Sequence, residues 1–373
     1  MVFISIPLRN LKRRLLRTIL TSFGITIAIS SFIVLVSMSR GVEKAWVNSL
    51  LERGVHMLAL SREAVEMLTA AIDENLAMDI KNIDGVNDVS GELVNLVKLE
   101  NDFHALLRGW PKDSFLWDTV HLKAGDIPGP MESHKILIGE TISEISDIKV
   151  GDTLKIRNEF FIVSGINVPA GTMNNSAIIF HLDTLQKLME KERKVNEFHL
   201  KLDHPDNQEE VQRVQERLNQ SLPNLAFIMT KEIAEKNDIL KIFRNVTWAT
   251  SLVAMFMALF FILNTLLMSV SERTKEIGIL NALGWHQNRI LLMIVIEGII
   301  MASIGAILGS ILGMFSLFWL LELPKLRGFF EPGVSVMMYL EVFLITLFLG
   351  IFGSFYPAFR AIRLNPVDSL KYE

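Results

Sequence analysis

Cysteine is absent from all 373 residues, which removes disulfides, thiolate metal ligands and a cysteine nucleophile from consideration. Any exported portion must therefore be held together by its own packed core. No G-x-x-x-x-G-K-[ST] loop occurs, so the chain has no Walker cradle for nucleotide phosphates. It also has neither an H-E-x-x-H zinc pair nor a G-x-S-x-G nucleophile elbow. The histidines are scattered; His199 and His204 straddle a strand end at a spacing that fixes no common face, and are expected to be solvated loop residues rather than ligands. No catalytic residue, no metal site and no bound cofactor is therefore assigned to the chain itself. A strongly basic balance is missing too. Lys+Arg 37 against Asp+Glu 41 gives −4, which argues against a general nucleic-acid binder.

Charge is also missing from long stretches. Of 78 charged residues, 56 lie between Glu43 and Arg244, and the other 22 are spread over residues 1–40 and 246–373. Thr18 to Ser39 is uncharged for 22 residues and Val246 to Ser271 for 26, while Ile290 to Leu321 is interrupted only by Glu297 and Val342 to Phe359 adds 18 more. At about 1.5 Å rise per residue such helices match a hydrocarbon layer of about 30 Å. Lipid offers exposed backbone groups no partner, so all four must be helical. The expected fold class is an integral membrane α-helical protein with four transmembrane helices and a large α+β extracytoplasmic domain between helices 1 and 2. The segment boundaries are a basic N-terminal helix 1–17, spans at 18–39, 246–271, 290–321 and 339–359, the large domain 40–245, a loop 272–289, a short outer loop 322–338 and a tail 360–373.

Orientation follows from lysine and arginine next to the spans. Arg9, Lys12, Arg13, Arg14 and Arg17 precede the first span without an acid, Arg273, Lys275 and Arg289 lie between the second and third, and Arg360, Arg363 and Lys371 follow the fourth. Both termini are therefore expected in the cytoplasm of a multi-pass protein of the cytoplasmic (inner) membrane. Residues 41–245, with 23 basic and 33 acidic side chains and a net charge of −10, are expected to face out. The first span exceeds the 7–15-residue core typical of a signal peptide, and Met38-Ser39-Arg40-Gly41 is no small-x-small cleavage site, so it reads as an uncleaved anchor.

Within the large domain the spacing predicts a helical extension over 40–54, a strand at Val55 to Leu60, a helix over Thr69 to Ile83 and strands between Val86 and Trp110. A Pro/Gly-rich loop at 111–132 follows, and Ile136 to Ile145 starts as a strand and turns helical. A hairpin of Thr153–Ile156 and Phe160–Val163 comes next. A half-buried strand at Asn196 to Asp203, a helix capped at Asp206 and a strand at Leu225 to Met229 form a βαβ-like unit over 196–230. From Lys231 helical spacing continues without Gly or Pro into Val246, predicting an unbroken arm over 231–245.

Three features of the spans stand out. Gly305, Gly309 and Gly313 recur every fourth residue and predict a groove for a close helix contact, within or between subunits; Gly24 and Ala28 repeat the pattern weakly. Glu297 is a polar group inside the third span, with a role either in proton or substrate coupling or as an interfacial structural carboxylate. Between spans two and three, Glu272, Arg273, Lys275, Glu276, Ile277, Gly278, Leu280, Leu283 and Gly284 form a short amphipathic helix, with Gly284 suited to end it at C′. By physics alone it presents charges to a soluble partner or anchors at the interface.

The stretch from Ser269 to Gly284 resembles the S-x-x-E-R-x-x-E-I-G-I-x-x-A-L-G motif of the FtsX-like permease family, the MacB type of ABC transporter. Tyr356-Pro357-Ala358 through Pro366 and Leu370 is similar to that family's C-terminal ending. Leu11-Lys12-Arg13-Arg14 through Ile25 is similar to its basic entry into the first helix. With the four-span layout, the resemblance covers essentially the whole chain. It implies a mechanotransmission permease without catalysis of its own, working as a homodimer or beside a paralogous permease. A separate ABC ATPase subunit carries ATP and Mg, and Glu272 to Leu283 serves as the ATPase-coupling helix. It further implies a porter-like unit (about 55–110 and 135–180) and a βαβ insertion near 185–230 in the outer domain. Membrane lipid surrounds the spans, and a periplasmic adaptor or outer-membrane partner fits the same plan. The function implied is export or extraction of a substrate from the outer side of the membrane; a non-transporting transducer acting on an envelope hydrolase, or lipoprotein release, is the alternative.

Overall fold

A computed structural model describes residues 9, 10, 13, 15–62, 69–99, 103–168, 172–323 and 331–363. The expected features at Lys12, Arg14 and Lys371 and the part of the C-terminal motif beyond Arg363 lie outside these residues. Two compact units emerge. One comprises residues 1–39, 243–320 and 332–373, the other residues 40–242 and 321–331.

The membrane unit is built on four helices long and apolar enough to cross a bilayer. They are α1 (Leu15–Leu51), α8 (Asp238–Glu272), α10 (Gln287–Leu321) and α11 (Val336–Ile362). α10 packs closely on two others because its small residues remove the usual side-chain spacer. A Cβ placed on Gly305 would lie 2.6 Å from Ile25 Cβ, on Gly309 2.8 Å from Ile29 Cβ, and on Gly313 3.1 Å from Ile33 Cβ. Isoleucines four apart on α1 thus fit glycines four apart on α10, and Thr26 Oγ1 donates across the seam to Gly305 O at 3.3 Å. The glycine contact is within one chain. Gly24 is likewise filled from within, by the ring of Phe261 on α8.

The second unit holds a ten-stranded sheet in the order β12-β1-β11-β3-β4-β9-β6-β8-β5, with β7 paired to β8. Its strands are β1 (Met57–Ser61), β3 (Val86–Lys98), β4 (His104–Trp110), β5 (Leu122–Gly125), β6 (Lys135–Gly139), β7 (Thr153–Ile156), β8 (Glu159–Asn167), β9 (Ala177–His181), β11 (Glu197–Leu202) and β12 (Leu225–Met229). A separate ribbon pairs β2 (Ile72–Asp73) with β10 (Lys194–Val195). The helices of this unit are α2 (Leu76–Lys81), α3 (Glu140–Ser146), α4 (Thr172–Asn175), α5 (Leu182–Leu188), α6 (Gln208–Ser221) and α7 (Ile233–Lys236). β3 joins the two segments expected as subdomains into one sheet: residues 86–92 pair with β11 and residues 93–98 with β4. The strands of the βαβ-like unit, β11 and β12, both pair antiparallel with β1, so they run parallel with β1 between them.

Several expectations are corrected. The helix predicted over Thr69 to Ile83 is instead β2 followed by the short α2. Asp73 Oδ1 accepts from Asn75 N at 3.0 Å, a side-chain turn that competes with the helix, and Ile72 pairs with Val195. The loop at 111–132 contains a 3-10 turn, Phe115–Thr119, capped by Ser114, and the edge strand β5. Asn207, not Asp206, caps α6, accepting from Glu210 N at 3.4 Å. The arm over 231–245 is broken: Asn237 is extended (φ −76°, ψ 120°), and its Oδ1 accepts from Leu240 N at 3.3 Å, restarting the helix as α8. β9 and α5 were not expected from the sequence.

His199 is not a solvated loop residue. β11 is buried on both faces, because β1 and β3 flank it and the sheet is covered above and below. Phe198, Leu200 and Leu202 pack in the main core. On the other face Glu197 lies directly opposite Glu92, an arrangement that repels unless bridged. His199 Nε2 bridges it, at 3.0 Å from Glu197 Oε1 and 3.1 Å from Glu92 Oε2.

Candidate functional site

The loop between α8 and α10 is organised around one arginine. α8 ends at Glu272, Arg273 breaks the helical path, and a new helix α9 spans Thr274–Ala282. The expected helix over Glu272 to Leu283 is therefore shorter by its ends, and Glu272 belongs to α8. Gly284 sits at φ +81° as the C′ residue; its N–H reaches Asn281 O at 3.0 Å and Trp285 N reaches Leu280 O at 3.0 Å. These two bonds make a Schellman end and satisfy carbonyls that would otherwise be left open, so the expected stop is met.

Arg273 is buried and divides its guanidinium between two acids. Nη1 donates to Glu297 Oε1 at 2.9 Å and Nε to Glu276 Oε2 at 3.1 Å. Glu297, only 2 % exposed, also accepts from Asn10 Nδ2 at 2.6 Å. It is thus a paired carboxylate that ties α10 to the α8–α9 corner. Two more bases from the N-terminal segment join in. Arg17 forms a bidentate pair with Glu272 at 3.1 and 2.9 Å, and Arg13 lies 3.7 Å from Glu276. In the sequence Arg13 and Arg17 stand only as charges beside a span, because their acidic partners lie more than two hundred residues away and leave no local signal.

The arrangement fixes which face of α9 is free. Ile277 and Gly278 are buried and Leu280 is half-buried, whereas Lys275, Glu276, Ile279, Leu283 and Gly284 are exposed. Leu283 is 73 % exposed, an apolar side chain beside charges on a short, braced helix. Gly305, Gly309 and Gly313 are elsewhere, at the seam with α1, and take no part in this surface. Glu297→Ala is expected to leave the Arg273 guanidinium buried with one acid fewer, at a cost of about 3 kcal/mol. Tryptic cleavage after Lys275 in the folded protein should then speed up several-fold, and an unchanged cleavage rate would show that Glu297 does not brace α9.

Two family models match this layout. The model of the MacB-like periplasmic core domain covers residues 18–218, more than half of the chain, and that of the FtsX-like permease C-terminal covers residues 248–366, including α9, Arg273 and Glu297. The chain is an ABC transporter permease of the FtsX/MacB type. As a permease it is similar along 99 % of its length to an uncharacterised ABC transporter permease of Methanocaldococcus jannaschii, at 25 % identity and covering 98 % of that protein. The permease is also similar to the macrolide export ATP-binding/permease protein MacB of Campylobacter jejuni, 38 % identical over 112 residues. That match takes in 30 % of the present chain and 17 % of the relative, so the chain spans a small part of that protein's length. Among solved structures, the periplasmic region of MacB from Actinobacillus actinomycetemcomitans matches 49 % of the permease and 94 % of that chain, at 12 % identity and TM-score 0.38. The permease is a multi-pass membrane protein with a mixed α/β domain between its first two spans.

Proposed function

We propose that this permease is the moving membrane subunit of an ATP-driven machine, and that α9 is where an ATP-hydrolysing chain engages it. The observation that carries this reading is the exposed face of α9. Ile279 and Leu283 stand out beside Lys275 and Glu276, while Arg273 and Glu297 anchor the opposite side. A helix so braced transmits a push to α8 and α10 instead of bending under it. ATP and Mg reside on the partner, and this chain contributes no catalytic group.

The lysine and arginine distribution supports both termini and α9 in the cytoplasm of a cell with the α/β domain on the outer side. On that reading the machine exports or extracts a substrate presented to the outer domain. The apolar side chains that α8 leaves exposed, Phe256 and Phe260 among them, suit lipid and a second permease copy or paralogue. An adaptor at the outer domain is compatible with the same plan.

The test is reconstitution with the partner ATPase. Glu276→Lys and Ile279→Asp should each weaken co-purification about tenfold or more, as loss of a central interface contact does, while leaving membrane insertion intact. Undiminished co-purification of both variants would remove α9 from the interface. Substrate-stimulated ATP hydrolysis with substrate leaving the vesicle supports export; activation of a bound hydrolase with nothing moved favours transduction.

A further inference from the structure

Beside the junction of the two halves of the sheet lies a small cavity of about 120 Å³. Its polar lining among the described residues includes Arg53, just past the end of α1, Arg108 on β4, His121, Asn167 and Asn174, with one carboxylate, the exposed Glu52. Both arginine side chains are deeply buried, 5 % and 6 % exposed. Each uses only part of its guanidinium on the Glu92 carboxylate behind it. Arg108 Nη1 donates to both Glu92 oxygens at 2.9 and 3.0 Å, Arg53 Nη1 to Oε1 at 3.4 Å and Oε2 at 3.2 Å, and Arg53 Nη2 to Ser49 Oγ at 3.4 Å. Arg108 Nε is buried and has no partner among the described residues. That is an expensive omission for a charged group, in a residue that lines the hollow.

The neutral lining is also rich in donors. The Asn167 carboxamide oxygen already accepts from His121 N at 3.0 Å, and the Asn174 oxygen from Ser49 Oγ at 3.2 Å. Each side chain is left with its NH2 group to satisfy. A hollow lined by unspent donors and two guanidiniums recognises acceptors, and a negatively charged acceptor best. It has room for several waters or one small oxyanion. Cation binding is disfavoured there. Glu92, Glu197 and His199 lie close enough together to suggest metal ligands, but the Glu92 oxygens are already committed to Arg53, Arg108, Trp110 and His199.

We propose that this cavity binds a small oxyanion, a carboxylate or phosphate group, between Arg53 and Arg108. Arg53 Nε also donates to Ser49 O at 2.8 Å in the last turn of α1. A bound oxyanion therefore ties the end of that helix to β4, and occupancy stiffens the joint between them.

Thermal unfolding of the full-length protein in detergent tests this, in sodium phosphate, sodium acetate and sodium chloride at matched ionic strength and neutral pH. The expected result is a saturable rise in Tm of about 2 °C or more over chloride with phosphate, acetate or both; which anion acts tells the two groups apart. Arg108→Gln should abolish the rise. If that variant does not fold, Ala177→Val carries the test alone, since it adds methyl groups to the cavity wall without touching an ion pair. No rise over chloride with either anion would mean the hollow holds water only and would overturn the proposal. An equal rise in Ala177→Val would assign the effect to general salt action and overturn it as well.

Discussion

Gly309→Leu is expected to lower the unfolding temperature of the permease in detergent by roughly 5–10 °C, because added carbons at a filled seam force the helices apart. At this position a Cβ alone would sit 2.8 Å from Ile29 Cβ and 2.8 Å from Thr26 O. The second contact is backbone, which cannot swing aside. Separating α10 from α1 there also loosens the contacts one turn away at Gly305 and Gly313. Ile307→Ala on the open side of the same helix is the control and should be nearly silent, because Ile307 is 62 % exposed. The absence of native cysteine offers a direct check of the contact. Ile33→Cys with Gly313→Cys brings two Cβ atoms close to the 3.5–4.5 Å that a disulfide needs, from a starting separation of 3.1 Å. The bond should form within one chain; a covalent dimer instead would place the glycine seam between subunits.

Glu92→Ala should be the most damaging single change in the α/β domain, costing about 3–5 kcal/mol of a total that is typically about 5–15. The carboxylate is fully buried and receives Arg108, Arg53, His199 and the Trp110 indole N–H, the last at 2.6 Å. Without it two guanidiniums remain buried and uncompensated. Replacing Arg53, Glu92 and Arg108 together by methionine should cost much less than the single change, because no charge is then stranded. A pH effect follows. Burial raises the Glu92 pKa, but the charges of Arg108, Arg53 and His199 and the Trp110 hydrogen bond outweigh it and hold the carboxyl well below the usual carboxylate range. A carboxylate so depressed contributes stability in full above its unfolded value of about 4.5, and loses it as pH falls toward the folded value. Circular dichroism of wild type should show stability falling as pH drops below about 4.5, with a shallower slope in Glu92→Gln; equal slopes would mean the carboxylate titrates normally.

The membrane architecture was legible because a bilayer imposes a length and a polarity that few soluble helices meet. The stop at Gly284 was legible because a positive φ at C′ is a local demand. The partners of these features were not. The glycine stripe announced a groove but not that Ile25, Ile29 and Ile33 fill it. Glu297 announced a polar group in a span, but its pairing with Arg273 depends on how α8 turns into α9. The burial of His199 was not legible because an alternating strand suggests one wet face, whereas the groups that close over that face, Arg53 and Glu92, come from more than a hundred residues earlier. Asn237 broke an otherwise helical pattern through one side-chain hydrogen bond, an effect that spacing of apolar residues does not register.

The position of β1 between β11 and β12 has a consequence for how the protein is made. At Ser61 the ribosome has finished β1, but its second flanking strand is complete only at Met229. At about 5–20 residues per second that interval is roughly ten to thirty seconds. Until Leu202 both edges of this apolar strand are open, and one stays open until Met229. Nascent chains stalled before residue 229 should therefore be the ones that quality-control proteases remove first.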